Sequence, residues 1–207
     1  MKYCYTIRNF KMLRNAGLIL AVIGVLYGCA SNQPAKVETQ QSKPVIAPVE
    51  LSAESRADFD AAMGFIKTEE YEKAIELLSK VVSASPNHAI PSINLALVYK
   101  KTGKLNLAED SLKLALKAEP ENPVANNEYA LLYRKTGRFA ESRQIYEKTL
   151  EKYPNFMMAH KNLGILCDLY MKDYECALKH YVIYSNAVQD DKTVKIWIAD
   201  VQKRLGH

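Results

Sequence analysis

Between positions 55 and 187, apolar residues fall in short stripes at helical spacing, each closed by a polar break. From Ile90 to about Lys101, Leu95, Ala96 and Tyr99 stand at i, i+1 and i+4, on one face of a helix. Gly103 suits a left-handed C-terminal residue, and Lys100 and Lys101 sit in the last turn, where the helix dipole favours cations. A second stripe, Ala108, Leu112 and Ala115, predicts a helix from Leu105 to about Ala118, stopped by Pro120. The pattern then repeats with a period of 34: Pro86, Pro120 and Pro154; Tyr99 and Tyr133; Gly103 and Gly137; Ala96, Ala130 and Gly164. Small residues such as Ala96 and Ala108 let paired helices approach, with Tyr99 and Leu112 filling the wider gap beside them. A last stripe, Val194, Trp197, Ile198, Val201 and Leu205, predicts an amphipathic helix over about 191–205 with Asp190 or Asp191 as its N-cap. Such a helix closes the exposed apolar end of a stack.

A 34-residue period with these residue types resembles the tetratricopeptide repeat family. The resemblance covers four copies, at about 55–88, 89–122, 123–156 and 157–188. It implies an all-α fold, a right-handed α-solenoid of four helix pairs plus the C-terminal capping helix. The copies differ. The first has Glu69 at the turn glycine, and the third has Ser142 where Ala is usual. In the fourth, Tyr174 and Ala177 stand one place late, which predicts a longer turn between its helices.

The chain has 207 residues, 28 Lys+Arg against 23 Asp+Glu, and a net charge of +5. That excess first suggests nucleic acid or an anionic membrane. Its location removes the suggestion. Residues 1–28 hold Lys2, Arg8, Lys11 and Arg14 and no acid, so without them the balance is 24 against 23. A basic start followed by the short apolar run Ala16 to Tyr27 has the form of a secretory signal peptide, too short for a spanning helix. Leu26-Tyr27-Gly28-Cys29 resembles the lipobox of bacterial lipoproteins, with a bulkier Tyr27 than that family usually carries. The resemblance implies acylation of Cys29 and, with Ala30 rather than Asp next to it, an outer-membrane anchor at the periplasmic face. Residues 29–50, rich in Gln, Ser and Pro, read as the lipidated cysteine and a flexible tether, and residues 51–207 as the repeat domain.

Candidate chemistry is sparse. No phosphate loop, nucleophile elbow or His-Glu-x-x-His occurs, so the reading is no enzyme and no cofactor. Cys167 and Cys176 are the cysteines left after Cys4 and Cys29, an even pair in an oxidising compartment. They flank the connection between two antiparallel helices, and a disulfide is expected. The sharpest metal alternative combines His160, Cys167, Cys176 and His180; surface histidines are the simpler reading, and no metal is assigned.

The family resemblance also implies a binding groove lined by the first helix of each pair. Carried over position by position, it contains Arg56, Phe59, Met63 and Lys67; Ile90, Ile93, Leu97, Lys100 and Lys101; Val124, Asn127, Leu131, Arg134 and Lys135; and Met158, Lys161, Ile165 and Asp168. Phe59 and Met63 stand where the family's carboxylate clamp needs Lys and Asn, which argues against that specific partner. An apolar floor with a basic edge suits an amphipathic helix or an extended segment, although Leu97, Leu131 and Ile165 could instead pack between repeats. The expected function is a protein-binding adaptor or assembly factor for an envelope machine, resembling type IV pilus pilotins or adaptors of peptidoglycan enzymes. An accessory of a TonB-type transporter and a self-associating structural protein, including a homodimer, are the alternatives; no nucleic-acid partner is expected.

Overall fold

The computed structural model describes residues 51–206. The expected signal peptide (1–28), the expected lipidation cysteine Cys29 and the expected tether lie outside the described residues. Among those described there is no strand, and no helix is long and apolar enough to cross a membrane. Four hairpins follow one another: α1 (Ala53–Lys67) with α2 (Tyr71–Ala84), α3 (Ala89–Lys101) with α4 (Leu105–Ala118), α5 (Pro123–Lys135) with α6 (Phe139–Lys152), and α7 (Met157–Ile165) with α8 (Tyr174–Ala187). A final helix, α9 (Lys192–Leu205), packs on α8.

Each hairpin closes on a pair of small residues. Ala62 lies with Ala74 and Ala96 with Ala108, all fully buried, and the wide side is filled by Leu78 or Leu112. In the third hairpin Ser142 replaces the alanine. It adds a bond, its hydroxyl donating to the Ala130 carbonyl at 2.8 Å. Tyr146 takes the leucine position there and Tyr181 takes it in the fourth, both wholly enclosed. The fourth hairpin makes room with Gly164: a Cβ there would stand 2.5 Å from Cδ1 of the Tyr181 ring.

The turns share one backbone form. A left-handed residue follows each first helix: Glu69 (φ 61°), Gly103 (76°), Gly137 (81°) and Lys172 (58°). The next amide then reaches back to a helix carbonyl: Glu70 to Phe65, Lys104 to Tyr99, Arg138 to Tyr133 and Asp173 to Cys167, at 2.8–2.9 Å. The first three bonds span five residues and the last spans six. The turn of the fourth hairpin is therefore no longer than the others, contrary to the sequence expectation. The extra residue lies inside the first helix, which widens into a π-helical turn over Leu166–Met171. A hairpin turn that works is kept, and the insertion is absorbed where the helix can bulge outward; Leu169 and Tyr170 are accordingly exposed.

The cap is built as its pattern requires. Asp191, not Asp190, is the N-cap, its carboxylate accepting from the Thr193 and Val194 amides at 3.1 and 3.2 Å. Val194 and Val201 are fully buried, and Trp197 packs against Tyr181 at 5.4 Å between ring centres.

His160 and His180 are not surface residues. Both are buried between α7 and α8, with their Nδ1 atoms 2.8 Å apart. His160 Nε2 lies 3.0 Å from the Pro154 carbonyl and must donate to it. Its Nδ1 is then the acceptor, and His180 donates from Nδ1. Burial depresses both pKa values, aided by Lys179, and the neighbouring His160 helps bring His180 to about 4. Glu147 opposes the shift of His180 and Arg143 assists it.

Two predictions follow from this packing. Gly164→Ala gains helix propensity worth about 1 kcal/mol but drives a methyl into an enclosed ring, and overpacking costs about 1–3 kcal/mol. Net destabilisation is expected in urea unfolding. Gly64→Ala, in α1 with nothing within 4 Å, gains the propensity alone and should raise stability by about 1 kcal/mol. The second concerns pH. With His180 at about 4 against an ordinary 6.5, the unfolded chain binds more protons within that window. Stability is full above pH 6.5 and declines as pH falls toward 4, by on the order of 2 kcal/mol. Urea midpoints between pH 7 and 5 should show the slope, and His180→Gln should flatten it.

Candidate functional site

The first helices α1, α3, α5 and α7 carry the expected groove residues, but the structure divides them into two groups, with Lys100 at the boundary of both. One group is consumed in holding neighbouring repeats together. Lys100 of α3 pairs with Glu128 of α5 at 2.5 Å, both side chains under one-fifth exposed. Asn162 of α7 donates to the Asn127 side chain of α5 at 2.9 Å. Lys161 of α7 pairs with Asp191 at the cap at 2.7 Å and lies over the rings of Tyr184 and Trp197. That bond raises the Lys161 pKa and lowers that of Asp191. Arg134 reaches the Asn162 carbonyl at 3.5 Å and lies 5.6 Å from the centre of the Tyr170 ring. These links form a ladder from α3 to α9.

Ile93 and Asn127 of the expected groove are withdrawn from its surface. Both are buried: Ile93 packs with Ala89, Ala115 and Ala125, and Asn127 is enclosed by its bonds to Asn162 and Glu128. A helix wedged between two repeats turns part of its inner face into the inter-repeat seam, and family position alone does not reveal which part. Phe59 belongs to the core of the first hairpin, half-buried, and Leu131 is also half-buried.

The second group surrounds an open cavity of about 620 Å³ between the first and second hairpins. Met63 and Ile66 of α1 and Leu97 and Val98 of α3 supply its apolar wall, with Tyr71 and Asn94 beside them. Lys100, Lys101 and Lys135 stand at one side and Glu69 at another. Lys101 and Lys135 are exposed and enter no ion pair among the described residues. Five of the carried-over positions thus meet here: Met63, Leu97, Lys100, Lys101 and Lys135. Ile66, Asn94 and Val98 escaped the sequence reading, although Asn94, Leu97, Val98 and Lys101 form an i, i+3, i+4, i+7 stripe that marks the same face.

A second cavity of similar volume lies between α4, α5 and α6, with Leu116, Tyr129 and Ile145 in its wall. Its charges are mixed, and Lys152 there is already paired with Glu121. It offers no unbalanced charge to a partner.

The remaining sequence candidates fall in the fourth hairpin. The Cys167 and Cys176 sulfurs are bonded to each other, with 5.9 Å between their Cα atoms. The histidines of the zinc alternative are bonded to each other instead, so that four-residue set does not assemble.

Comparison with known proteins places this geometry. Residues 93–155 match the tetratricopeptide repeat family model. No curated protein sequence matches the chain. Among solved structures, PilF of Pseudomonas aeruginosa is similar at 22% identity with a TM-score of 0.66, over 73% of this chain and 68% of that one. MamA of Desulfovibrio magneticus is similar at 13% identity and a TM-score of 0.65, over 75% and 87%. The first tetratricopeptide domain of Spaghetti (RPAP3), solved with the HSP90 peptide SRMEEVD, is similar at 22% identity and a TM-score of 0.52, over 56% and 94%. Over the described residues the chain has the all-α solenoid fold of these structures, and its residues 93–155 match the tetratricopeptide repeat model.

Proposed function

We propose that the protein is an adaptor that holds a segment of another protein in the cavity between α1 and α3, and that Cys29 is acylated and anchors it to the periplasmic face of the outer membrane. The observation that carries the binding reading is the contrast along the groove. From the second hairpin to the cap, the inner polar groups are bonded to one another, whereas Lys101 and Lys135 beside the apolar wall are not. A partner segment with an apolar side chain for Met63, Leu97 and Val98, and a carboxylate toward the two lysines, fits both features. The Spaghetti domain, of the same fold, holds a peptide with acidic residues. A groove used for binding, with no acid–base pair in its wall, favours an adaptor over an enzyme. The likeness to PilF, together with the lipobox-like N-terminus, supports an envelope assembly role of the pilotin kind.

A photo-crosslinker at position 97 of the full chain, expressed in the native cells, should capture a distinct protein. Lys101→Glu with Lys135→Glu should reduce that capture by about tenfold or more, as expected for loss of two steering charges, with the helical circular dichroism unchanged. Capture of the chain itself alone would overturn the adaptor reading in favour of self-association. Separately, Cys29→Ser should abolish metabolic labelling by palmitate and release the protein from membranes. A membrane-bound, unlabelled product of the native sequence would overturn the lipid anchor.

A further inference from the structure

The fourth hairpin holds a cluster that the adaptor reading does not use. Cys167 is fully buried within the π-helical turn, and Cys176 is half-buried in the first turn of α8. Asp173, the N-cap of α8, lies between them in the chain. Its carboxylate and the two sulfurs lie within 4.8 Å of one another. We propose that reduction of the Cys167–Cys176 bridge uncovers a three-ligand site for a borderline-soft divalent metal, of which zinc is the type, made of two thiolates and the Asp173 carboxylate.

Ligand chemistry and placement support it together. Thiolate pairs with a carboxylate or imidazole select zinc over the hard cations. The carboxylate is already oriented: Oδ1 accepts from the Cys176 amide at 3.1 Å and Oδ2 from Arg143 at 2.8 Å. Each oxygen keeps a lone pair for a metal. Two thiolates, a carboxylate and a dication leave one negative charge, and Arg143, which also pairs with Glu147 at 2.7 Å, holds the Asp173 carboxylate from the outer side. The Cα separation of 5.9 Å suits a disulfide. It also suits chelation, for which zinc–sulfur bonds of about 2.3 Å need sulfurs roughly 3.7 Å apart, reached by side-chain rotation. Asp173 and Cys176 are half-exposed and give the ion its path of entry.

The chemistry balances. A dithiol reductant delivers two electrons and two protons, the sulfur–sulfur bond breaks, two thiols form, and the reductant leaves as its own disulfide. Metal binding then releases the two thiol protons to water. A disulfide oxidant reverses the sequence: it takes two electrons from the thiolates and two protons from water, leaves as its own dithiol, and the re-formed sulfur–sulfur bond releases the metal. His160 and His180 take no part, since each is the other's hydrogen-bond partner.

The test uses the full chain, reduced with a phosphine under argon, freed of reductant, given zinc and passed through a desalting column. The expectation is one zinc per reduced chain and none per oxidised chain, with cobalt giving a thiolate charge-transfer band in the same preparation. Asp173→Asn keeps the helix cap and should weaken zinc binding by about tenfold or more. The double variant Cys167→Ala, Cys176→Ala should bind none. If reduction lowers the helical signal, zinc must restore it. The proposal is overturned by a reduced chain that binds no zinc, by zinc that fails to restore lost helix, or by zinc retained in the double variant.

Discussion

Two helices can lie close along much of their length only where both present almost no side chain at the crossing. That constraint organises this molecule. Ala62 with Ala74, Ala96 with Ala108 and Ala130 with Ser142 set the spacing of the first three hairpins, and Gly164 against the Tyr181 ring sets that of the fourth. A large residue one step away then has one volume to fill: Leu78, Leu112, Tyr146 or Tyr181. When the large residue grows, something must yield. The tyrosine of the fourth hairpin lies where even the methyl of an alanine at 164 would collide with its ring. Interiors packed at crystal density transmit such changes rather than absorb them.

Close hairpins leave the first helices side by side, and the second organising feature follows. Inner polar side chains of adjacent repeats come within hydrogen-bond reach and satisfy one another. Lys100 with Glu128, Asn162 with Asn127 and Lys161 with Asp191 each join residues about a repeat apart in the chain. Half-buried charges are tolerated because they are paired. The ladder ties each repeat to the next and occupies the polar groups it joins. Open surface remains toward the N-terminal end, where the first hairpin offers Met63 and Ile66 in place of polar partners and the cations of α3 and α5 reach solvent.

The fourth hairpin departs most from the repeat, and its departures are connected. One added residue would break the turn geometry shared by the other three. The helix widens instead, its carbonyl at Cys167 still closing the turn through the Asp173 amide. That arrangement places Cys167, Asp173 and Cys176 together. The buried histidine pair occupies the opposite end of the same hairpin, near Pro154.

Local pattern determined the helix pairs, their 34-residue period and the capping helix, because helical faces, caps and small residues announce themselves within a few residues of each other. Glu69 as a turn residue and Tyr174 and Ala177 as displaced residues were also legible, being departures from a period. The π-helical turn was not: an insertion is visible in the spacing, but whether the loop or the helix takes it depends on which alternative preserves the packing of α7 on α8. Nor was the division of the groove. Leu97 and Ile93 are both aliphatic and both on the inner side of α3, yet one lines a cavity and the other is sealed between Ala115 and Ala125. Lys100 and Lys101 are neighbours of the same type, and only the first meets a glutamate. The chain specifies which side chains exist at each turn of helix; the stacking of repeats, acting across 28 to 35 residues, decides which are used internally and which remain for a partner.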